Sequence, residues 1–178
     1  MVGVFERAFA TPKVFRGEKH NTTRHLSEYS SLDFEMGFIE DHTEVMRVLE
    51  KTIRLIVERV GREVALPKEI PVLKLREVQK ILGVASEPDL EPEHERAICA
   101  WALKEKGSDF VFVTHYPVSK RPFYTYEDEA DKGFTKSFDL LFRGLEITTG
   151  GQRIHNYDAL VGRIKDRGLD PEEFKFYL

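Results

Sequence analysis

Two groups of residues in this 178-residue chain have the types and spacing needed to hold a phosphorylated ligand. The first runs from Phe15-Arg16-Gly17-Glu18 through Arg24-His25 to Glu28-Tyr29 and Asp33-Phe34-Glu35. On an extended segment Arg16 and Glu18 share a face, because side chains alternate with period two. A guanidinium on that face can clamp phosphate oxygens with paired N–H donors. Glu18 beside it can accept from an exocyclic amine such as that of adenine. Arg24 and His25, on the intervening loop, can close over a polyphosphate, and Tyr29 offers a ring on which a base stacks. The same residues also suit a plain surface ion pair between Arg16 and Glu18 with a solvated loop, an arrangement that is common and weak.

The second group is Phe138-Asp139, then Glu146 seven residues on, then Thr148-Thr149-Gly150-Gly151-Gln152-Arg153. Two carboxylates flanking a pair of strands can share magnesium, which binds one or two carboxylates together with substrate phosphates. The paired glycines allow close backbone approach to a ligand. Arg153 can bind a carboxylate bidentately. The plainer alternative is a Gly-Gly β-turn with a salt bridge nearby. His20 and His25, five apart, would need further nitrogen or sulfur donors to hold zinc, and Cys99 is the only thiol, so no zinc site is expected. Walker A, GxSxG and CxxC patterns are absent from the sequence.

The elements that must position these residues follow from hydrophobic spacing. Residues 5–38 read as a long antiparallel hairpin with a basic tip at 17–24. Asp41 and Glu44 form a capping box for a helix whose apolar positions run Val45, Val48, Leu49, Ile53, Ile56, Val57 and Val60, with Gly61 ending it. That stripe is expected to pack on a sheet face. Helices are predicted at 75–82 and 92–106, the second stopped by Gly107, and further helical stretches at 157–167 and 171–177. Strands are predicted at 109–114, 121–126 and 136–149, the last split at Arg143-Gly144. The fold class is therefore α+β, one mainly antiparallel sheet flanked by helices, in which the hairpin pairs with the strands near 138–149.

Composition limits the function classes. A formal charge of -4 and a pI of about 5.9 argue against a strongly basic nucleic-acid module, although a local basic loop can still touch RNA. No apolar run approaches the roughly 18–20 residues that cross a bilayer, and the first residues carry no secretion signal. A lone Cys99 within AICAWAL fits a reducing, cytoplasmic setting and reads as a small buried hydrophobe.

Taken together, the two groups carry a resemblance. VFRGEKHNTTRHLSEYSSLDFEMGF resembles motif 2 of the class II aminoacyl-tRNA synthetases of the aspartate, asparagine and lysine group. FDLLFRGLEITTGGQRIH resembles the segment that holds magnesium and aspartate in the archaeal and eukaryotic type of aspartyl-tRNA synthetase, and FVFVTHYPVSKRPFYTY looks like the strand pair found between them. The resemblance covers nearly the whole chain as one partial catalytic domain, 1–178, with motif 2 at 11–38 and the magnesium and aspartate segment at 136–155.

The resemblance implies ATP-dependent activation of aspartate to aspartyl-adenylate and transfer to tRNA. It implies that Arg16 binds the α-phosphate, Glu18 the adenine side, Tyr29 the base and Arg24 with His25 the terminal phosphates. Asp139 and Glu146 would place Mg2+, while Arg153, Asp33 and Thr149 would contact aspartate. Arg153 matches the arginine that grips the side-chain carboxylate, and Asp33 stands where asparagine enzymes usually carry glutamate. Motif 1, the substrate-closing loop and motif 3 of the family are not found in these residues. A sheet lacking its motif 3 strand would expose an apolar edge, so self-association or a homodimer is expected. The alternatives are a ligase similar to asparagine synthetases or asparaginyl-tRNA synthetases, and an inactive truncated paralogue acting as a binding module.

Overall fold

A computed structural model describes residues 2–17 and 26–178, and the chain divides into two compact units, 1–40 and 41–178. In the first, a single helical turn, α1 (Val2–Phe5), precedes four short strands: β1 (Arg7–Ala10), β2 (Lys13–Phe15), β3 (Glu28–Ser30) and β4 (Asp33–Met36). The predicted hairpin is present as two antiparallel ladders, Arg7↔Met36 to Ala10↔Asp33 and Lys13↔Ser30 to Phe15↔Glu28. Pro12 lies where the two ladders part, because it has no N–H to give. Its carbonyl still accepts from the Ser31 N–H at 3.0 Å, which stitches the gap. The tip, with Glu18, His20, Arg24 and His25, lies outside the described residues.

The second unit opens with α2 (Thr43–Val60). Asp41 Oδ1 accepts from the Thr43 N–H at 3.0 Å and Glu44 Oε1 accepts from the Asp41 N–H at 3.4 Å, so the predicted capping residues do cap. Gly61, with φ +64°, ends the helix in the left-handed conformation that glycine tolerates best. The apolar stripe is only half used. Met46 and Leu49 are buried, whereas Ile56 and Val60 are 44 % and 60 % exposed.

The sheet comprises β5 (Val72–Lys74), β6 (Phe110–Thr114), β7 (Ser137–Phe142) and β8 (Leu145–Gly151), in the order β5-β6-β7-β8. Only β5 and β6 run parallel, because the helices α3 (Leu75–Leu82) and α4 (Pro92–Lys106) cross over between them. Both helices have the predicted limits. Glu77 closes the first turn of α3 by accepting from the Lys74 N–H, and Pro92 starts α4 where a missing N–H costs nothing. Val111, Val113 and Leu141 of the sheet pack with Leu75 and Val78 of α3 and with Ile98, Cys99 and Ala102 of α4. Burial pushes the Cys99 thiol up to about 11, in keeping with a packing role. The last elements are α5 (Tyr157–Asp166) and a 3-10 turn at Pro171–Phe174.

Three expectations are corrected. The single sheet is replaced by three ladders, β1-β4, β2-β3 and the four-stranded sheet. Strand β5 was missed, being only three residues long and directly after Pro71. The predicted strand at 121–126 is irregular chain, since Pro122 offers no donor and its carbonyl accepts from the Thr125 N–H at 3.0 Å, closing a turn. What remains is an isolated bridge between Thr125 and Arg153.

Candidate functional site

The hairpin of β7 and β8 decides where the two acidic residues point. Its turn is Arg143-Gly144, with φ +50° and +84°, the pair of positive values that matches the twist of adjoining strands. Asp139 pairs with Thr149 and Leu140 with Thr148, but Leu141 then pairs with Glu146, so Ile147 is an extra residue. Without that bulge, Glu146 and Thr149 would fall on opposite faces, being three residues apart. With it, Glu146 stands opposite Leu141, on the face that Asp139 and Thr149 share. Asp139 is buried and Glu146 exposed, so the face runs from the protein interior to solvent.

Sequence reasoning missed the residue that organises this face. Arg121 Nη2 donates to Asp139 Oδ2 at 2.7 Å, and its Nη1 donates to Thr149 Oγ1 at 3.1 Å. The guanidinium lies 3.9 Å from the centre of the buried Tyr116 ring. Burial opposes its charge, but Asp139 outweighs this and, with Glu146 adding to it, holds Arg121 above its ordinary value. Burial and then the Asp139 carboxylate hold the Tyr116 phenol well above its own. Arg167, just beyond α5, fixes the Arg121 backbone by donating to its carbonyl at 2.9 Å. Two buried atoms here have no hydrogen-bond partner: Asp139 Oδ1 and Arg121 Nε. The signal in the sequence was an arginine opening a run read as a strand, to which no role was assigned.

The paired glycines do not form the turn of the plainer alternative. They lie within β8 rather than in a turn. A Cβ on Gly150 would come within 2.5 Å of the Phe138 ring, and one on Gly151 within 2.9 Å of the Lys136 carbonyl oxygen. They therefore permit close packing of the protein on itself. Arg153, two residues further on, is exposed, and its guanidinium lies 5.3 Å from the Tyr124 ring centre.

A second polar cluster lies at the end of β6. His115, with φ +59°, sets its Nδ1 2.9 Å from Thr114 Oγ1 and its Nε2 3.2 Å from Asp128 Oδ2. The His42 ring meets it edge-on at 5.9 Å, and Lys136 Nζ lies 3.1 Å from Asp41. Burial is the main cause holding both histidines below their ordinary value.

In the first unit, Tyr29 is the cross-strand partner of Val14, so Arg16, two residues past Val14, reaches the ring diagonally. The separation is 5.5 Å, within cation–π range. The Arg16 N–H donates to the Ser27 carbonyl at 2.9 Å, which extends the ladder past Phe15. Asp33 is exposed at the start of β4 and accepts from the Ser31 hydroxyl.

The chemistry of this donor set fits magnesium. Asp139 Oδ1 is a buried oxygen without a partner, and Glu146 shares its face. Among the described residues no group of three or more His, Cys, Asp or Glu converges as a metal site. A cation held here would complete its shell with phosphate oxygens and water, the usual habit of magnesium. No described helix is long and apolar enough to cross a membrane.

The chain is 48 % identical over 194 residues to the aspartate--tRNA(Asp/Asn) ligase of Thermus thermophilus, covering 100 % of this chain and 46 % of that protein. It is 45 % identical over 197 residues to the ligase of the same name from Aeropyrum pernix, again over the whole chain and 45 % of that protein. The chain thus spans a little under half the length of these relatives. The aspartyl-tRNA synthetase structure from Entamoeba histolytica superposes with a TM-score of 0.92 at 30 % identity, over 99 % of this chain and 40 % of that one. An asparaginyl-tRNA synthetase from Pyrococcus horikoshii, complexed with asparaginyl-adenylate, gives 0.86 at 29 % identity, over 99 % and 44 %. The family pattern of the class II tRNA synthetases (D, K and N) matches residues 1–178, and the chain belongs to that family.

Proposed function

We propose that the chain activates L-aspartate with ATP and serves its transfer to tRNA, as part of an aspartate--tRNA ligase. The observation that carries this reading is the convergence of Asp139, Glu146 and Thr149 on one sheet face through the bulge at Ile147. That the similar enzymes of Thermus thermophilus and Aeropyrum pernix are aspartate--tRNA(Asp/Asn) ligases supports aspartate. In the proposed step a carboxylate oxygen of aspartate attacks the α-phosphorus, and the bond to pyrophosphate breaks. No general base is required, because the attacking carboxylate is already ionised. Arg16 binds the α-phosphate and stabilises charge gathered there. Glu18 receives the adenine amine, Tyr29 stacks on the base, and Arg24 with His25 holds the terminal phosphates. Asp139 and Glu146 are the magnesium ligands; the bound cation would neutralise phosphate charge. Arg153 clamps the substrate side chain, with Asp33 and Thr149 completing the aspartate pocket. Self-association of the chain belongs to the same proposal and is measured by light scattering.

Calorimetric titration with aspartate, asparagine and ATP tests it. Aspartate should bind more tightly than asparagine, and Arg153→Leu should erase that preference, since it removes the paired donors that favour a carboxylate over an amide. Arg16→Ala should weaken ATP and leave aspartate binding in the absence of ATP almost unchanged. Undiminished aspartate binding by Arg153→Leu would refute the aspartate assignment. Tighter asparagine binding by the parent would favour the second reading, an asparagine-specific ligase, to which the 0.86 match to the asparaginyl enzyme lends weight.

A further inference from the structure

We infer that Arg121 is a built-in counter-ion that keeps the Asp139–Glu146 face closed to free divalent cations and opens it only to a cation arriving with a polyphosphate. The inference rests on the proposed magnesium role of those two carboxylates. Arg121 is a positioning residue here, acting through Asp139.

Three observations carry it. Arg121 already occupies one oxygen of Asp139 at 2.7 Å, and its fork is fixed by Thr149 at 3.1 Å and by the Tyr116 ring below it. The pair is buried, with side chains 16 % and 6 % exposed, so solvent screens little of the guanidinium charge. The remaining oxygen, Asp139 Oδ1, is buried without a partner and so retains a lone pair for a cation. A divalent ion on that oxygen would sit beside a fixed positive charge, with only Glu146 to offset it. The phosphates of ATP bring the negative charge that offsets the excess positive charge. Among the described residues no group of three or more His, Cys, Asp or Glu converges to hold the ion instead.

Two effects of removing Arg121 oppose each other. Loss of its hydrogen bonds frees the Asp139 carboxylate to turn, and such supporting contacts are commonly worth about 10–100-fold in metal affinity. Loss of its charge strengthens cation binding. The two separate experimentally, because a loosened carboxylate weakens binding with and without ATP alike, whereas the charge acts mainly when ATP is absent.

The test titrates the full chain with Mn2+, following loss of the free-ion paramagnetic signal without ATP and water proton relaxation of the ternary complex with ATP. The parent should bind Mn2+ measurably only when ATP is present. Arg121→Gln should bind Mn2+ without ATP, and the ratio of affinities with and without ATP should fall by about tenfold or more, as expected for a close buried charge. Arg121→Lys, which keeps the charge but not the fork, should retain the ATP requirement. Circular dichroism of each variant confirms the fold, and the Lys variant carries the test if the Gln variant does not fold: ATP-free Mn2+ binding by Arg121→Lys would overturn the inference. An unchanged ratio in Arg121→Gln would overturn it too, while ATP-dependent binding in both proteins would leave the proposed site intact. Absence of Mn2+ binding in parent and variants, with or without ATP, would overturn both.

Discussion

The hairpin unit and the sheet unit hold their candidate functional residues in opposite ways. In the hairpin, ladders of three and four residue pairs carry Arg16, Tyr29 and Asp33, and large side chains such as Phe9 and Phe15 are 78 % and 72 % exposed. In the sheet, Phe112 of β6 and Phe138 of β7, the neighbour of Asp139, are each 1 % exposed and meet edge to face at 5.8 Å. Asp139 is further locked by Arg121, which is itself held by Thr149, Tyr116 and, through its carbonyl, Arg167. One unit therefore presents its ligands on backbone pairing and a single exposed ring contact. The other builds them into a packed interior. Changes at functional residues should cost little stability in the first unit and much in the second.

The largest expected effect comes from Asp139→Asn. The change is nearly isosteric but leaves the Arg121 guanidinium buried against a neutral amide, so urea unfolding of the sheet unit should lose about 3–5 kcal/mol. A loss below 1 kcal/mol would break the contrast between the units. Next is Gly150→Ala. Its methyl group would lie 2.5 Å from the Phe138 ring, and overpacking of this kind costs about 1–3 kcal/mol. Pairing it with Phe138→Leu should recover part of the loss if the clash is the cause.

Acid should also act on the sheet unit. His42 and His115 are held below the ordinary value of 6.5, so between their lowered values and 6.5 the folded state binds fewer protons than the unfolded state. Stability is then full above about pH 6.5 and declines as pH falls through that window. Asp41, Asp128 and Asp131 favour the charged rings and temper the effect, whereas Lys136 and Lys74 oppose that charge and add to it. A second decline belongs below pH 4. Asp41 is lowered to about 2 by the Thr43 N–H and Lys136 against the opposing effect of burial, and Asp131 to about 2 by Arg76 and Lys74. Urea midpoints measured from pH 8 to pH 3 should show both steps, and His115→Gln should shrink the first.

The smallest effect is Tyr29→Leu. The Arg16 contact with this ring is worth about 0.5–1 kcal/mol at an exposed site. Thermal unfolding should barely change, while binding of ATP should weaken. A stability loss as large as that of Asp139→Asn would show that the hairpin is not the lightly held element its exposure suggests.

Local order was legible in the sequence wherever one residue type dictates one conformation. The limits of α3 and α4 were readable because Leu75 and Pro92 open apolar-periodic runs that Gly83 and Gly107 close. The Arg143-Gly144 turn and the start of α2 at Asp41 were readable for the same reason. The candidate site residues Arg16, Tyr29, Asp33, Asp139, Glu146, Thr149 and Arg153 were picked out by their motifs. Their arrangement was not. A separation of seven residues does not say that Asp139 and Glu146 share a face, because that depends on a bulge at Ile147 set by cross-strand register. Glycines 150 and 151 read as a place of close approach to a ligand, or more plainly as a turn, and only the ring of Phe138 and the Lys136 carbonyl reveal why no side chain fits there. Arg121 was not singled out in the sequence, because its partner Asp139 lies 18 residues away in the chain and only folding brings them together. Spacing and residue type fix conformation over a few residues, whereas the partner of a buried charge is chosen by which distant segments the core brings together.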